Sequence, residues 1–294
     1  MEVIMKKVEI VAAPKDPHFV GDGFRVHNFI PSGYRMDMKR MDPFIMLDYN
    51  SKHYFSPTKT PRGVGVHPHR GFETVTVAYQ GKVAHHDSSG GGGVIGEGDV
   101  QWMTAASGVL HKEYHEEKFS QEGGFFQMVQ LWVNLPAQYK MSKPKYQGIS
   151  NDKINKYQLP DGSGFIEVIA GEYKEVNGSA ETFSPVHMMN AKLEFGGKAE
   201  FDFPAHFNTG LLVIEGSIKV NGQETVPTDH FVLFENEGTD FTVEALEKSM
   251  VLILSGEPLN EPIAAHGPFV MNTYDEIRQA IDDFNMGKFG YLEE

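Results

Sequence analysis

The sequence predicts an all-β protein, organised as two antiparallel β-barrels with one short C-terminal helix. Three observations support this class. Short runs of β-branched and aromatic residues recur along the 294 residues, and the chain's 31 glycines mark many turns between them. Helical periodicity is scarce before the C-terminal end. The two halves also share a strand, x-Gly, strand pattern, at residues 74–83 and again at 211–220, which indicates a duplicated unit.

Strand patterns are dense in the first half of the chain. Residues 8–11 and 44–49 predict buried strands, and residues 74–86 predict a hairpin that turns at Gln80-Gly81. The glycine-rich stretch at 88–93 predicts a flexible loop at one end of a barrel, able to cover its mouth. Residues 125–133 predict a long apolar strand.

A polar stretch between residue 137 and about residue 155 separates the two halves, and we interpret its lysines, Lys140 to Lys145, as solvated. The predicted domains are therefore 1–140, an N-terminal barrel, and 141–294, a second barrel with the helix. Thr273 is the expected N-cap, with Glu276 in the third helical position. An apolar face beginning at Ile277 predicts that this helix packs on a barrel.

Composition excludes several functions. The formal net charge of −14 disfavours direct binding to nucleic acid. The absence of cysteine excludes disulfides, thiolate ligands and cysteine nucleophiles. No signal peptide and no membrane-spanning segment is recognisable, so we expect a cytoplasmic protein without membrane partners, or also a nuclear one in a eukaryote. No phosphate-binding loop, dinucleotide-binding glycine pattern or nucleophile elbow is present.

Two short motifs predict a metal site. His67 and His69 lie two residues apart in a strand pattern, so their imidazoles project from the same face. His111 and Glu113 repeat this spacing with an imidazole and a carboxylate. If the two strands are neighbours, these four side chains form one site for a divalent metal, with Fe(II) favoured and Mn, Ni, Cu or Zn as alternatives. The competing interpretation, unrelated hydrogen-bonded histidines, explains the paired spacing less well.

Other candidate residues have weaker support. Strand alternation places Glu73 on the ligand face, and we expect it to support a ligand rather than bind the metal. His85 and His86 are expected at the surface or at the barrel mouth, and His115 in an exposed acidic run. The second half offers only His206 in place of the paired histidines, so no second metal site is expected.

These residues resemble a known family. The stretch from His67 to Glu73, followed by Gly81, resembles the first cupin motif, and residues 108–111 resemble the end of the second. The match is closer to the pirin family, and it spans nearly the whole chain. Its segments are residues 66–80, 98–105, 108–113, 130–136, 256–259, 266–273 and 277–284.

The resemblance implies a bicupin: two cupin or jelly-roll barrels facing each other, with metal in the N-terminal one only. It assigns the metal ligands to the positions of His67, His69, His111 and Glu113, and leaves Glu73 outside the ligand set. It implies two alternative functions. One is a flavonol (quercetin) 2,3-dioxygenase, which cleaves an aromatic substrate with O₂. The other is a metal-binding, redox-sensitive regulator that acts through protein partners.

For the enzyme, the expected mechanism follows from the ligand set. The metal would act as a Lewis acid on the flavonol 3-hydroxyl group, and Glu113 would accept its proton as general base. Trp102 and Trp132 are expected in the core, although one of them could line an apolar pocket above the metal.

Overall fold

A computed structural model of the chain describes residues 4–293, which fold into two jelly-roll halves of the cupin type rather than closed barrels. Strands make up 52% of the structure. The first strand is β1 (Val8–Ala12). The strands of the first half follow: β2 (His18–Val20), β3 (Phe24–Ile30), β4 (Phe44–Phe55), β5 (Gly63–His69), β6 (Phe72–Gln80), β7 (Val83–Asp87), β8 (Gly92–Ile95), β9 (Val100–Thr104), β10 (Val109–His115), β11 (Gly124–Asn134) and β12 (Lys145–Ile149). A short helix, α1 (Glu117–Glu122), joins β10 to β11.

The second half continues in the same style. Its strands are β13 (Asn155–Gln158), β14 (Gly164–Ala170), β15 (Glu172–Tyr173), β16 (Val176–Asn177), β17 (Val186–Leu193), β18 (Lys198–Asp202), β19 (Asn208–Glu215), β20 (Ser217–Val220), β21 (Glu224–Pro227), β22 (Phe231–Phe234), β23 (Asp240–Ala245), β24 (Ser249–Gly256), β25 (Ala264–His266) and β26 (Phe269–Met271). The chain then forms helix α2 (Tyr274–Asn285).

Each half has one seven-stranded and one four-stranded antiparallel sheet. In the first half the orders are β12-β9-β6-β11-β4-β3-β2 and β5-β10-β7-β8. In the second half they are β1-β22-β19-β24-β17-β14-β13 and β18-β23-β20-β21. The two large sheets pack against each other through one apolar cluster, to which β6 contributes Val75 and Val77 and β24 contributes Leu252 and Leu254. The predicted fold class, all-β with two facing jelly-rolls, is therefore confirmed.

The two halves exchange strands. β1 pairs with β22 in the sheet of the second half, whereas β12, beyond residue 140, pairs with β9 in the first. The division into residues 1–140 and 141–294 stays a prediction for folding units, since the sheets themselves cross that boundary in both directions.

The predicted solvation of Lys140 is wrong. Its ammonium group is buried and donates hydrogen bonds to Gly71 O at 2.7 Å, Asn134 Oδ1 at 2.6 Å and Val270 O at 3.0 Å. Burial lowers the pKa of Lys140 to about 8, although nearby carboxylates oppose this shift. The side chain links the β5–β6 turn to the C-terminal strands.

The C-terminal helix forms as predicted. Thr273 and Glu276 make a complete capping box, and Ile277 and Ala280 are buried. The helix packs on the first jelly-roll, where Asp283 accepts a 2.9 Å hydrogen bond from the buried Arg70 guanidinium. The end of the chain thus braces the strand that carries the paired histidines. Within residues 4–293, no helix is long and apolar enough to cross a membrane.

Candidate metal centre

His67 and His69 lie at the end of β5, with ring centroids 4.9 Å apart. Each ring is oriented through its Nδ1 atom. Nδ1 of His67 lies 2.8 Å from Gly65 O, and Nδ1 of His69 lies 3.4 Å from Pro268 O. A backbone oxygen at Nδ1 favours the tautomer with its proton there, which leaves Nε2 with a free lone pair.

His111 completes a cluster of three imidazoles. It lies in β10 directly opposite His67, and its ring centroid is 4.2 Å from that of His67 and 4.7 Å from that of His69. One nitrogen of each ring lies within 4.8 Å of one nitrogen of both others. The three-histidine part of the predicted site is therefore assembled in the structure.

The chemistry of this cluster fits a bound cation. Nε2 of His111 is fully buried, and no group within residues 4–293 pairs with it, a costly arrangement unless a ligand occupies the position. Burial, reinforced by the neighbouring imidazoles, lowers the pKa of His69 and of His111 well below the ordinary value. Neutral imidazoles are the form that binds a metal.

Glu113 lies beside the cluster, with a carboxylate oxygen within 4.8 Å of a ring nitrogen of His111. Its carboxylate accepts hydrogen bonds from Gln101 Nε2 at 2.5 Å and Gln130 Nε2 at 3.3 Å, and Thr76 Oγ1 lies 3.5 Å away. The structure groups Glu113 with His111 and His85, rather than with the two histidines of β5. Its role as the fourth ligand stays a prediction.

His85 is a site residue that sequence reasoning missed. It is completely buried, with Nδ1 3.4 Å from Nδ1 of His111 and 3.7 Å from Oε1 of Glu113. The expectation of a surface or mouth position is therefore wrong for His85, whereas His86 is exposed. β7 pairs with β10, so alternation turns His85 and Asp87 inward and His86 outward. The i, i+2 spacing of His85 and Asp87 was the available signal.

Asp87 anchors His85 from behind. Its Oδ2 atom lies 3.2 Å from Nε2 of His85, and its Oδ1 atom accepts hydrogen bonds from the Ser89 hydroxyl at 2.6 Å and Gly91 N at 3.0 Å. Burial opposes ionisation of Asp87, but these donors outweigh it and lower its pKa to about 2. Burial likewise lowers the pKa of His85, but the carboxylates of Asp87 and Glu113 outweigh it and raise that pKa to about 9.

The glycine-rich stretch is part of this anchor, not a cover for the site. Gly92 begins strand β8, and Gly91 N bonds to Asp87. Residues 88–93 lie outside the lining of the cavity over the histidines. The expectation of a flexible loop at the mouth is therefore wrong, because the Asp87 carboxylate organises the turn.

Glu73 faces away from the histidines. Gly71, with a φ of 91°, turns the chain between β5 and β6, so strand alternation does not continue from His69 to Glu73. Glu73 shares a face with Val75, which packs between the two halves, and accepts a 2.8 Å hydrogen bond from Thr104 Oγ1. Burial raises the pKa of Glu73 to about 7, with Thr104 opposing the shift. The strand-parity argument for Glu73 is therefore wrong.

A cavity of about 340 Å³ opens over the histidine cluster. Its polar lining comprises Asp48, His67, His69, Glu113 and Gln130, and its apolar lining comprises Val20, Phe24, Val26, Met46, Val64, Met128 and Trp132. The volume and the mixture of apolar walls with few polar groups are typical of a site for a small organic molecule. Of the two tryptophans, Trp132 lines this cavity and Trp102 lies in the core between the halves.

Two further histidine predictions can be compared with the structure. His115 is buried, with Nε2 2.7 Å from Gly23 O, so the predicted exposure is wrong. His206 is exposed, 3.6 Å from a carboxylate oxygen of Glu257. The interior of the second half is filled by packed apolar side chains, among them Phe201 and Phe241, whose ring centroids are 5.1 Å apart. Both groups of side chains able to hold a metal, among the described residues, are in the first half.

Known proteins resemble this chain over nearly its whole length. The family model described as Pirin matches residues 23–133, and the one described as Pirin C-terminal cupin domain matches residues 188–290. A Pseudomonas aeruginosa protein provisionally named quercetin 2,3-dioxygenase PA2418 is 46% identical over 285 residues, which is 97% of this chain and 99% of that protein. The chain belongs to the pirin family.

Other pirin relatives agree with this assignment. A pirin-like protein of Solanum lycopersicum is 36% identical over 274 residues, covering 92% of this chain and 89% of that protein. A crystal structure described as quercetin 2,3-dioxygenase from Acinetobacter baumannii superimposes with a TM-score of 0.92 at 48% identity. That match covers 99% of this chain and 100% of the other. That crystal structure thus shares the bicupin architecture of this chain along its full length.

Proposed function

We propose that this pirin is a metal-dependent dioxygenase of the flavonol 2,3-dioxygenase type. The observation that carries the proposal is the unpaired, buried Nε2 of His111 in a cluster of three imidazoles that opens onto an apolar cavity. The P. aeruginosa relative, provisionally named as a quercetin 2,3-dioxygenase, and the A. baumannii structure described as one support the same chemistry.

The proposed ligands are His67, His69, His111 and Glu113, holding one divalent metal. Nitrogen and carboxylate donors without thiolates suit Fe(II), which we favour, and also Mn, Ni, Cu or Zn. A metal bound there would supply Lewis acidity toward the 3-hydroxyl oxygen of a flavonol. The chain's own residues supply the rest of the chemistry.

Glu113 is the proposed general base. Gln101 and Gln130 donate to its two carboxylate oxygens and hold it at the edge of the cavity, in reach of a hydroxyl proton on a bound aromatic ring. Trp132 and the other apolar wall residues surround the ring and exclude water, which strengthens the polar contacts of the reacting group.

The test is O₂ consumption and CO release with quercetin on iron-loaded protein, with metal content measured on the same sample. We expect turnover by the wild type and loss of both metal and activity in His111→Ala. The exposed His86→Ala variant is the matched control and should keep both. An inert wild type carrying one equivalent of iron would contradict the proposal.

A second measurement distinguishes between Glu113 and His85 as the fourth metal ligand. Glu113→Gln should lose its metal, whereas His85→Gln should still bind one equivalent with an affinity reduced only roughly tenfold. The reverse order of metal loss would assign the fourth position to His85.

The regulatory alternative stays a prediction. A pull-down with metal-loaded protein, in its reduced and oxidised forms, tests it. A stoichiometric protein partner that binds one redox form would favour that function.

A further inference from the structure

A row of polar side chains crosses the inner face of the large sheet in the first half. Each member is paired directly with the next on the neighbouring strand, and all of them lie on the cavity side of that sheet. In strand order β9, β6, β11, β4 and β3, the row is Gln101, Thr76, Gln130, Asp48 and Asn28. The row begins at Gln101, which donates to Glu113, and ends at Asn28, next to the cavity-lining Asp48.

The first three members are hydrogen-bonded to one another or to Glu113. Gln101 donates to Thr76 Oγ1 at 3.0 Å, Thr76 donates to Gln130 Oε1 at 2.5 Å, and Gln130 donates to Glu113. This part of the row is explained by the need to orient the carboxylate of Glu113.

Asp48 is the member with spare hydrogen-bonding capacity. Its Oδ1 atom accepts a 2.7 Å hydrogen bond from Asn28 Nδ2, and no protein group described in residues 4–293 donates to its Oδ2 atom. The carboxylate lines the cavity in a wall otherwise made of residues such as Met46 and Val26. Burial raises the pKa of Asp48, although the hydrogen bond from Asn28 and the nearby His18 oppose the shift.

The distance between Glu113 and Asp48 indicates which kind of ligand could donate a hydrogen bond to Asp48. Gln130 touches Glu113, and Asp48 is paired with Gln130 on the adjacent strand, so the second acceptor lies roughly 5 Å further along the sheet. An aromatic molecule with hydroxyl groups on opposite sides reaches both positions, whereas one with a single hydroxyl reaches only one. Met128 and Trp132, which flank Gln130 on β11, line the same cavity and offer the ring an apolar surface.

We propose that Asp48 is a specificity residue, which accepts a hydrogen bond from the substrate hydroxyl farthest from the metal centre. The cavity then selects aromatic substrates with at least two separated hydroxyl groups. This inference rests on the proposed function, because it takes the histidine and Glu113 end of the cavity as the reacting end.

The experiment compares two flavonols on iron-loaded protein by anaerobic titration calorimetry. Quercetin carries hydroxyl groups on all its rings, and 3-hydroxyflavone carries only the reacting one. Because a hydrogen bond to a charged acceptor is strong, the wild type should prefer quercetin by about tenfold or more. In Asp48→Leu this preference should fall to within about twofold, with 3-hydroxyflavone binding at least as tightly as before.

Two further variants serve as controls. Asp48→Asn retains the shape of the side chain and its pairing partners, and should lose part of the preference, while the exposed Asp16→Asn should retain all of it. A quercetin preference that survives in Asp48→Leu and Asp48→Asn, both folded by circular dichroism, overturns the assignment. Failure of the wild type to bind either flavonol also overturns it.

Turnover measured separately distinguishes this inference from the proposed function. Preferential binding of quercetin that depends on Asp48, without O₂ consumption, supports the specificity role and contradicts the dioxygenase. Turnover of both flavonols with equal affinity supports the dioxygenase and contradicts the role of Asp48.

Discussion

Substitution of Glu73 by glutamine should stabilise the protein at alkaline pH without affecting metal binding. Glu73 is buried between the two halves, and its carboxylate accepts a 2.8 Å hydrogen bond from Thr104 Oγ1. Burial raises its pKa from 4.5 to about 7. Between pH 4.5 and about 7, Glu73 is therefore protonated in the native state but ionised in the unfolded state. The free energy of unfolding of the wild type falls as the pH rises through this range.

The magnitude follows from the shift. A difference of about 2.5 pKa units corresponds to about 3 kcal/mol, which is the upper limit of the wild-type loss between pH 4.5 and 7. Glu73→Gln has no such loss, because its amide stays neutral. After allowance for local relaxation around Thr104, we expect the variant to be about 1–3 kcal/mol more stable than the wild type at about pH 8. Below about pH 4.5 the difference should vanish.

Urea unfolding followed by tryptophan fluorescence, at a series of pH values, measures this difference. The exposed Glu97→Gln variant is the control and should match the wild type throughout. Metal content should stay at the wild-type level in Glu73→Gln, since the side chain faces away from the histidines. A variant that is destabilised at alkaline pH, or that loses its metal, would refute the placement of Glu73.

Three further predictions concern the supports of the site. Lys140→Met leaves three buried oxygens without a donor and should lower the free energy of unfolding by about 2–4 kcal/mol, whereas the exposed Lys143→Met should be neutral in the same urea titration. Asp87→Asn weakens the support of His85 behind His111 and should reduce metal affinity roughly tenfold in a chelator competition, with Asp16→Asn unchanged. Gly71→Ala places a methyl group 1.9 Å from the backbone oxygen of Val270, at a φ of 91°, and should lower the free energy of unfolding by at least about 2 kcal/mol. A variant that melts at the wild-type temperature would contradict this close approach.

Local patterns in the sequence were enough to predict the fold class and the paired histidines of the site. Alternation along a strand is a local property, so the spacing of His67 and His69 was enough to place both rings on one face. The same holds for the capping box at Thr273, because all of its partners lie within one helical turn. The all-β architecture likewise follows from short strand patterns and turns that repeat through the chain.

Tertiary structure decided which polar residues are buried. Lys140 lies in a polar stretch, yet it is enclosed because two of its three acceptors come from the β5–β6 turn and from strand β26, the latter 130 residues away. His85 follows a turn, yet β7 pairs with β10 and places it against His111. No local pattern contains these partners.

Turns in the chain, like distant contacts, change which face a side chain occupies and so cannot be predicted from strand alternation alone. The turn at Gly71 resets strand alternation, so Glu73 points into the core between the halves instead of toward the metal centre. The sequence by itself determined that His67 and His69 project from one face, because that pair is local, whereas their meeting with His111 depends on the pairing of β5 with β10 in the folded chain. Only the folded chain determined the support of His111 by His85 and the pairing of Asp48 with Gln130, since both depend on which strands lie side by side.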